Sequence, residues 1–218
     1  MTMQLDIVSD VICPWCYIGK RQLERALAVL ADEGLNFTVR WNPFQLNPDM
    51  PPEGVERAAY RTAKFGSAEK AATLDARVTE AAAGAGLAFR LDLIPRTPNT
   101  LNAHRVIWLA GRNGMQDAVV EALFAAYFTR GCDIGDPAVL TTCASDAVLQ
   151  RDAVTALLGG DEAAAELRAA DRAAREAGVN GVPSFFLDGY GLFSGAMPAS
   201  DMAEALRRAH HILTNRAA

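Results

Sequence analysis

Met3-Gln4-Leu5-Asp6-Ile7-Val8-Ser9-Asp10-Val11-Ile12-Cys13-Pro14-Trp15-Cys16 runs from an apolar alternation, through a turn, into two thiols three positions apart. Residues 3–8 place apolar side chains at every second position and read as a short strand, which Ser9-Asp10 ends. Downstream, Ile18, Leu23, Ala26, Leu27 and Leu30 recur at roughly helical spacing, and Gly34 closes the run. A strand therefore feeds a helix at the dithiol. Cys13 falls at the N-cap and Pro14 at the first helical position, where its missing N–H is not needed. Cys16 follows one turn on. The unpaired N–H groups and the positive end of the helix dipole favour a thiolate on Cys13, which makes it the expected nucleophile. Cys16, deeper in the helix, is the expected resolving thiol that attacks a mixed disulfide and releases the reduced substrate.

Two other readings of the pair are a structural zinc half-site and incidental burial. Zinc wants a second cysteine pair at short spacing or a suitably spaced histidine pair. Instead Cys132 and Cys143 are separated by ten residues, too many for a zinc pair, and His210-His211 are adjacent on a terminal helical run. No metal site is expected. Apolar packing, for its part, does not call for a proline between two cysteines, so reversible redox chemistry is the reading that accounts for the motif.

Composition bounds the rest. A chain of 218 residues, 50% hydrophobic, can bury one good core with an inserted subdomain. With 21 basic against 26 acidic residues the net charge is −5, and no long basic run appears, so nucleic-acid and anionic-membrane partners lack their electrostatic footprint. The N-terminal residues show neither a basic n-region nor an apolar h-region, and no stretch approaches a membrane span. A cytoplasmic location is expected. Four cysteines do not make a disulfide scaffold in a chain this long. Cys143 reads as a helix-core thiol. Cys132 lies in the turn-rich Arg130-Gly131-Cys132-Asp133-Ile134-Gly135, where exposure and Arg130 leave both a reactive and a structural reading open.

Phe37-Thr38-Val39-Arg40-Trp41 alternates as a second strand, followed by a loop through Asn42-Pro43-Phe44-Gln45. A long helical stretch is predicted from about Gly54 to Ala177, cut into several helices by glycine and proline. Within it, Val119, Val120, Leu123, Phe124, Tyr127 and Phe128 form one core face, and residues 163–176 form an Ala-rich helix. No fixed-period repeat emerges, which disfavours a solenoid. Gly181-Val182-Pro183 then leads into Ser184-Phe185-Phe186-Leu187, a turn at Asp188-Gly189, and Tyr190-Gly191-Leu192-Phe193, the pattern of an antiparallel hairpin. A final helix is predicted over 198–213, with Met202, Ala205, Leu206, Ala209 and Leu213 on one face to cover the sheet. The order is β-α-β, a helical block, then β-β-α.

Residues 9–20, Ser9-Asp10-Val11-Ile12-Cys13-Pro14-Trp15-Cys16-Tyr17-Ile18-Gly19-Lys20, together with Gly178-Val179-Asn180-Gly181-Val182-Pro183-Ser184-Phe185-Phe186 and Ser194-Gly195-Ala196, resemble the DsbA family of thioredoxin-fold proteins. More narrowly they resemble its cytosolic FrnE-like branch. Pro98-Asn99-Thr100 with Ala103-His104-Arg105, and Ala126-Tyr127-Phe128-Thr129 with Asp133-Ile134-Gly135-Asp136, are similar to that branch too, so the resemblance spans nearly the whole chain. It implies an α/β thioredoxin-like fold, formed by residues 1–52 and 178–218, with residues 53–177 as an inserted helical domain.

The resemblance further implies that Pro183 is a cis-proline facing the dithiol. Val182 before it would then offer its backbone N–H and C=O to an extended substrate. Pro14 and Trp15 belong to the active-site motif, with Trp15 expected on its rim. Asn99 is expected to cap the helix that follows it, and His104 either approaches the substrate groove or serves packing. The expected function is protein thiol–disulfide exchange with disulfide- or thiol-containing protein substrates, in a direction the sequence leaves open. No metal or organic cofactor is implied. Two alternatives remain open. One is a glutathione-dependent transferase or 2-hydroxychromene-2-carboxylate isomerase-like activity, which the same fold hosts. Ser194-Gly195 leaves room for it, and glutathione stays open as a partner. The other is a redox-regulated binding module, in which the dithiol only senses oxidation.

Overall fold

The structure, a computed structural model, describes residues 2–217. Strand β1 (Met3–Ser9) buries Met3, Leu5 and Ile7 on one face and turns Gln4 and Asp6 outward, as its alternation requires. Helix α1 (Pro14–Asp32) carries the chain to β2 (Phe37–Pro43), which pairs parallel to β1 in the register Met3↔Phe37 to Ser9↔Pro43. β2 thus runs two residues beyond the predicted strand, through Asn42-Pro43. Outward-facing Asp6 holds it in register by accepting from Arg40 Nη2 (3.0 Å) and Asn42 Nδ2 (3.1 Å).

Strand β5 (Ser184–Leu187) pairs antiparallel with β1, and β6 (Tyr190–Ser194) pairs antiparallel with β5, for a sheet order β2-β1-β5-β6. The hairpin turns at Asp188 (φ 46°) and Gly189 (φ 84°). Both lie in the left-handed region that a two-residue turn matching the strand twist needs. The last helix (Ala199–Ala217) buries Met202 and Leu206 and packs chiefly along α1, with lesser contacts to β5 and β6.

Between β2 and β5 the chain forms the helical insertion. Its elements are β3 (Val55–Glu56), α2 (Arg57–Phe65), α3 (Ala68–Gly84), β4 (Arg96–Thr97), α4 (Leu101–Arg112), α5 (Gln116–Arg130), α6 (Pro137–Asp146), α7 (Arg151–Gly159) and α8 (Ala164–Glu176), and the helix along α1 is therefore α9. β3 and β4 pair antiparallel as a separate two-residue ladder, Val55↔Thr97 and Glu56↔Arg96, where the sequence predicted only helix. Two residues are too few to show an alternation, and the ladder forms because the chain doubles back there.

The insertion is fastened to the dithiol helix in two ways. Tyr17 of α1 stacks on Phe124 of α5 at a centroid separation of 4.9 Å and on Phe89 at 5.8 Å, and Phe89 stacks on Phe128 at 4.8 Å. Beside this stack, Lys20 of α1 is 3% exposed and meets Asp117 and Glu121 of α5, each at 3.1 Å, and also Glu24. Burial opposes the charge on Lys20, but Asp117, Glu24 and Glu121 outweigh it and hold the ammonium above its ordinary pKa. At the edge of the sheet, the Gln116 side chain accepts from Trp41 N–H (2.8 Å) and donates to Trp41 C=O (3.0 Å). It fills the place a neighbouring strand would take.

Candidate active site at the N-terminus of the first helix

Cys13 sits at the N-cap of α1 with φ −87° and ψ 114°, and Pro14 follows at the first helical position. The Cys13 side chain makes no capping hydrogen bond to the helix. Cys16 N–H donates to Cys13 C=O at 3.0 Å, which brings the second thiol up behind the first. Cys13 is 5% exposed, Cys16 is fully buried and Trp15 is 41% exposed, so only the Cys13 end of the dithiol is open toward the surface. Burial pushes the Cys16 thiol well above its ordinary range, and the neighbouring Cys13 pushes it the same way; the Ser9 hydroxyl and the Asp10 backbone N–H pull it back in part. The asymmetry expected of the pair is therefore present in its packing.

Across from the helix start lies the loop before β5. Cys13 Sγ donates to Val182 C=O at 3.5 Å, and the Val182–Pro183 peptide bond is cis. Hydrogen bonds fix the loop on both sides, from Ser184 Oγ to Gly181 C=O (2.8 Å) and from Gly195 N–H to Pro183 C=O (2.8 Å). Gly19 lets the loop lie on α1, since a Cβ there would come within 3.0 Å of Pro183 Cγ. Ser194 is engaged with Ser184 (2.7 Å) and does not line the cavity described next.

A cavity of about 480 Å³ opens at the dithiol, bounded by Cys13, Pro14, Trp15 and Val182 on one side and by α2 and α3 of the insertion on the other. Leu74, Val78, Ile94 and Phe128 make much of its wall apolar. Its charged groups are Arg57, Arg61, Lys64 and Arg77 against a single carboxylate, Asp75. Arg57 and Arg61 share that carboxylate. Lys64 donates to Tyr60 OH (2.6 Å), and neither Lys64 nor Arg77 has a carboxylate partner among the described residues. The cavity is a cationic pocket in a chain of net charge −5. These cations were not singled out in the sequence, although Arg57, Arg61 and Lys64 recur at i, i+4 and i+7, the spacing of one helix face.

Behind Cys16 the polar groups are unusual. Ser9, Asp10 and His104 are 4%, 0% and 4% exposed. Asp10 Oδ2 accepts from Leu46 N–H at 2.7 Å, but Asp10 Oδ1 makes no hydrogen bond, and neither do Ser9 Oγ and His104 Nε2. His104 Nε2 lies 3.5 Å from Asp10 Oδ1. Buried polar atoms are ordinarily hydrogen-bonded, so a cluster of them without well-formed bonds stands out. Of the remaining sequence candidates, Asn99 stands one residue before the N-cap of α4, which is Thr100 and makes no side-chain capping bond; Asn99 Oδ1 instead accepts from Leu101 N–H (2.9 Å) in a local turn. Cys143 is buried in α6, where burial raises its thiol, and Cys132 is half-buried; neither borders the cavity at Cys13.

The sequence profile of the family described as the DSBA-like thioredoxin domain matches residues 4–207. Among solved structures, a probable DsbA oxidoreductase from Streptomyces coelicolor is similar with a TM-score of 0.85 and 34% identity, over 96% of this chain and 90% of the other. Two further structures are similar in fold alone. A 2-hydroxychromene-2-carboxylate isomerase has a TM-score of 0.67 at 20% identity, over 98% and 97% of the two chains. The cytosolic disulfide reductase DsbM from Pseudomonas aeruginosa with GSH has a TM-score of 0.64 at 16% identity, over 99% and 100%. Among curated proteins, the uncharacterized protein YwbO of Bacillus subtilis is 36% identical over 53 residues, a match that spans 24% of its length and 24% of this chain.

Proposed function

The chain belongs to the DSBA-like thioredoxin domain family, and from that membership we propose that it is a thiol–disulfide oxidoreductase working through Cys13 and Cys16. The observation that carries this reading is the placement of Cys13 at a helix N-terminus, open to the cavity and 3.5 Å from Val182 C=O, with Cys16 buried behind it. In the reducing direction the Cys13 thiolate attacks one sulfur of a substrate disulfide, and the other sulfur leaves as a thiolate. Cys16 then gives up its proton and attacks Cys13 Sγ. The dithiol becomes a disulfide, and the second substrate thiol is released. A low-molecular-weight thiol returns the enzyme to its reduced form. Pro14 and Trp15 shape the rim, and the Val182 backbone with Pro183 aligns an extended substrate beside Cys13.

Disulfide- or thiol-bearing substrates follow from this reading, and a cytoplasmic setting, that of the FrnE-like branch, is part of it. So is a division into a thioredoxin-like part (residues 1–52 and 178–218) around a helical domain (53–177). A glutathione-dependent transferase is the second reading. It is favoured by the cationic cavity, which suits a thiol carrying carboxylates, and opposed by a second thiol poised to resolve any mixed disulfide. Both readings are tested by measuring reduction of a disulfide-bonded test protein by the wild type and by Cys13→Ser, in parallel with conjugation of glutathione to an electrophile. Loss of reduction in Cys13→Ser is expected. Reduction that survives the substitution overturns the assignment, and conjugation without reduction establishes the transferase.

A further inference from the structure

Among the described residues, three of the buried polar atoms without a hydrogen bond, Ser9 Oγ, Asp10 Oδ1 and His104 Nε2, stand together on the inner side of the dithiol. Ser9 and Asp10 close β1 and begin the turn to Cys13, whereas His104 comes from α4 of the insertion. The Ser9 hydroxyl is near enough to the Cys16 thiol to draw it down, without a well-formed hydrogen bond. Ser9 and His104 also border a common void of about 10 Å³, close to the smallest that takes one water molecule. On its far side the His104 ring lines a second, larger groove between β2, α4 and α8, of about 650 Å³, which shares no residue with the cavity at Cys13.

We propose that Ser9, His104 and Asp10 form a proton path that leads from the buried Cys16 thiol to this second groove, on a route separate from the substrate's. The proposal rests on the assignment of Cys13 and Cys16 made above. When Cys16 resolves the mixed disulfide, its proton passes to the Ser9 hydroxyl, which gives its own proton, through one water in the void that both border, to the His104 imidazole. The imidazolium is held against the Asp10 carboxylate. The Cys16 thiolate then forms the bond to Cys13 Sγ, the bond from Cys13 to the substrate sulfur breaks, and the substrate leaves as a thiolate with the electron pair. His104 releases the proton to the groove. A substrate that seals the cavity at Cys13 therefore does not trap the proton of Cys16. The charged groups around the ring are Asp10 on the dithiol side and Arg40, Arg112, Asp117 and Glu166 along the groove. Ser9, Asp10 and His104 are positioning and proton-transfer residues; none touches the substrate.

The test uses the reduced full-length protein carrying Cys132→Ser, mixed in a stopped-flow instrument with the disulfide of thionitrobenzoate. The first coloured thiol released reports attack by Cys13 and the second reports attack by Cys16. At pH 7, His104→Gln and Asp10→Asn are expected to slow the second release by at least about tenfold and to leave the first within about twofold. In both variants the second release should climb steadily with pH where the wild type levels off, and added imidazole should restore it in His104→Gly. A second release that is unchanged in the folded variants, or both releases slowed alike with the wild-type pH profile, overturns the path. Should the variants fail to fold, the wild type alone decides. A solvent deuterium effect confined to the second release supports the path, and its absence overturns it. If no first equivalent appears at all, the dithiol assignment itself has failed.

Discussion

Val148 has φ 70° two residues after the end of α6, a position where its branched Cβ crowds the backbone, and it is 74% exposed, so no packing offsets the strain. Helices commonly end on glycine at this point. Val148→Gly is therefore expected to stabilise the protein by about 0.5–1 kcal/mol, the relief of left-handed backbone less the added freedom of the unfolded chain. The gain is visible as a melting temperature a few degrees higher in thermal unfolding. Cys16 gives a pH signature. Its native thiol holds a proton well above its ordinary range, so Cys16 adds no pH dependence below about pH 8.5, where folded and unfolded chains both keep that proton. Above that pH the unfolded chain releases the proton and the native one does not, so stability falls as pH rises, by up to about 1.4 kcal/mol per unit. Denaturant unfolding of reduced protein between pH 8 and 10 should show that slope, and Cys16→Ser should flatten it by up to one proton.

At the scale of elements, the join between α1 and α5 matters most, because it sets the insertion over the dithiol. Lys20 is its centre, buried among Glu24, Asp117 and Glu121. Lys20→Met leaves those carboxylates facing one another and is expected to cost about 2 kcal/mol in urea unfolding, less than a fully buried pair because Asp117 is 60% exposed. A cost near zero would mean that the aromatic stack alone carries the join. The elements differ in how far they can be read from sequence. The dithiol helix and the β5–β6 hairpin announce themselves through local chemistry: Pro14 at a helix start, Asp188-Gly189 at a tight turn, alternation on either side. The two-residue β3–β4 ladder has too little length to leave a periodic trace. Arg57, Arg61 and Lys64 are legible as one face of α2, but what that face looks onto depends on where packing sets the helix. Asp10 and His104 are separated by almost half the chain, and nothing local to either marks the other.

For the whole molecule, charge is unevenly spread. The chain carries a net charge of −5, while the cavity at Cys13 gathers four cations against one carboxylate. Such a pocket, walled by apolar groups, draws anions toward Cys13. Small disulfides that differ only in charge should therefore react at different rates with the reduced protein. Oxidised glutathione is expected to exceed the cationic disulfide of cysteamine by about tenfold at low ionic strength, and the gap should shrink above 0.15 M salt, where charges are screened beyond about 8 Å. Equal rates at low salt would show that the cations serve the packing of α2 and α3 alone. One side-chain amide has a consequence for the protein's behaviour among its neighbours. By pairing with both backbone groups of Trp41, Gln116 occupies part of the free border of β2, and an unoccupied border is a template on which another chain can add its own strand. Gln116→Ala uncovers that part of the template. Concentrated solutions of the variant are expected to scatter more light than the parent protein at equal concentration, so that one side-chain amide, through the two bonds it makes, sets how readily this border meets a second chain.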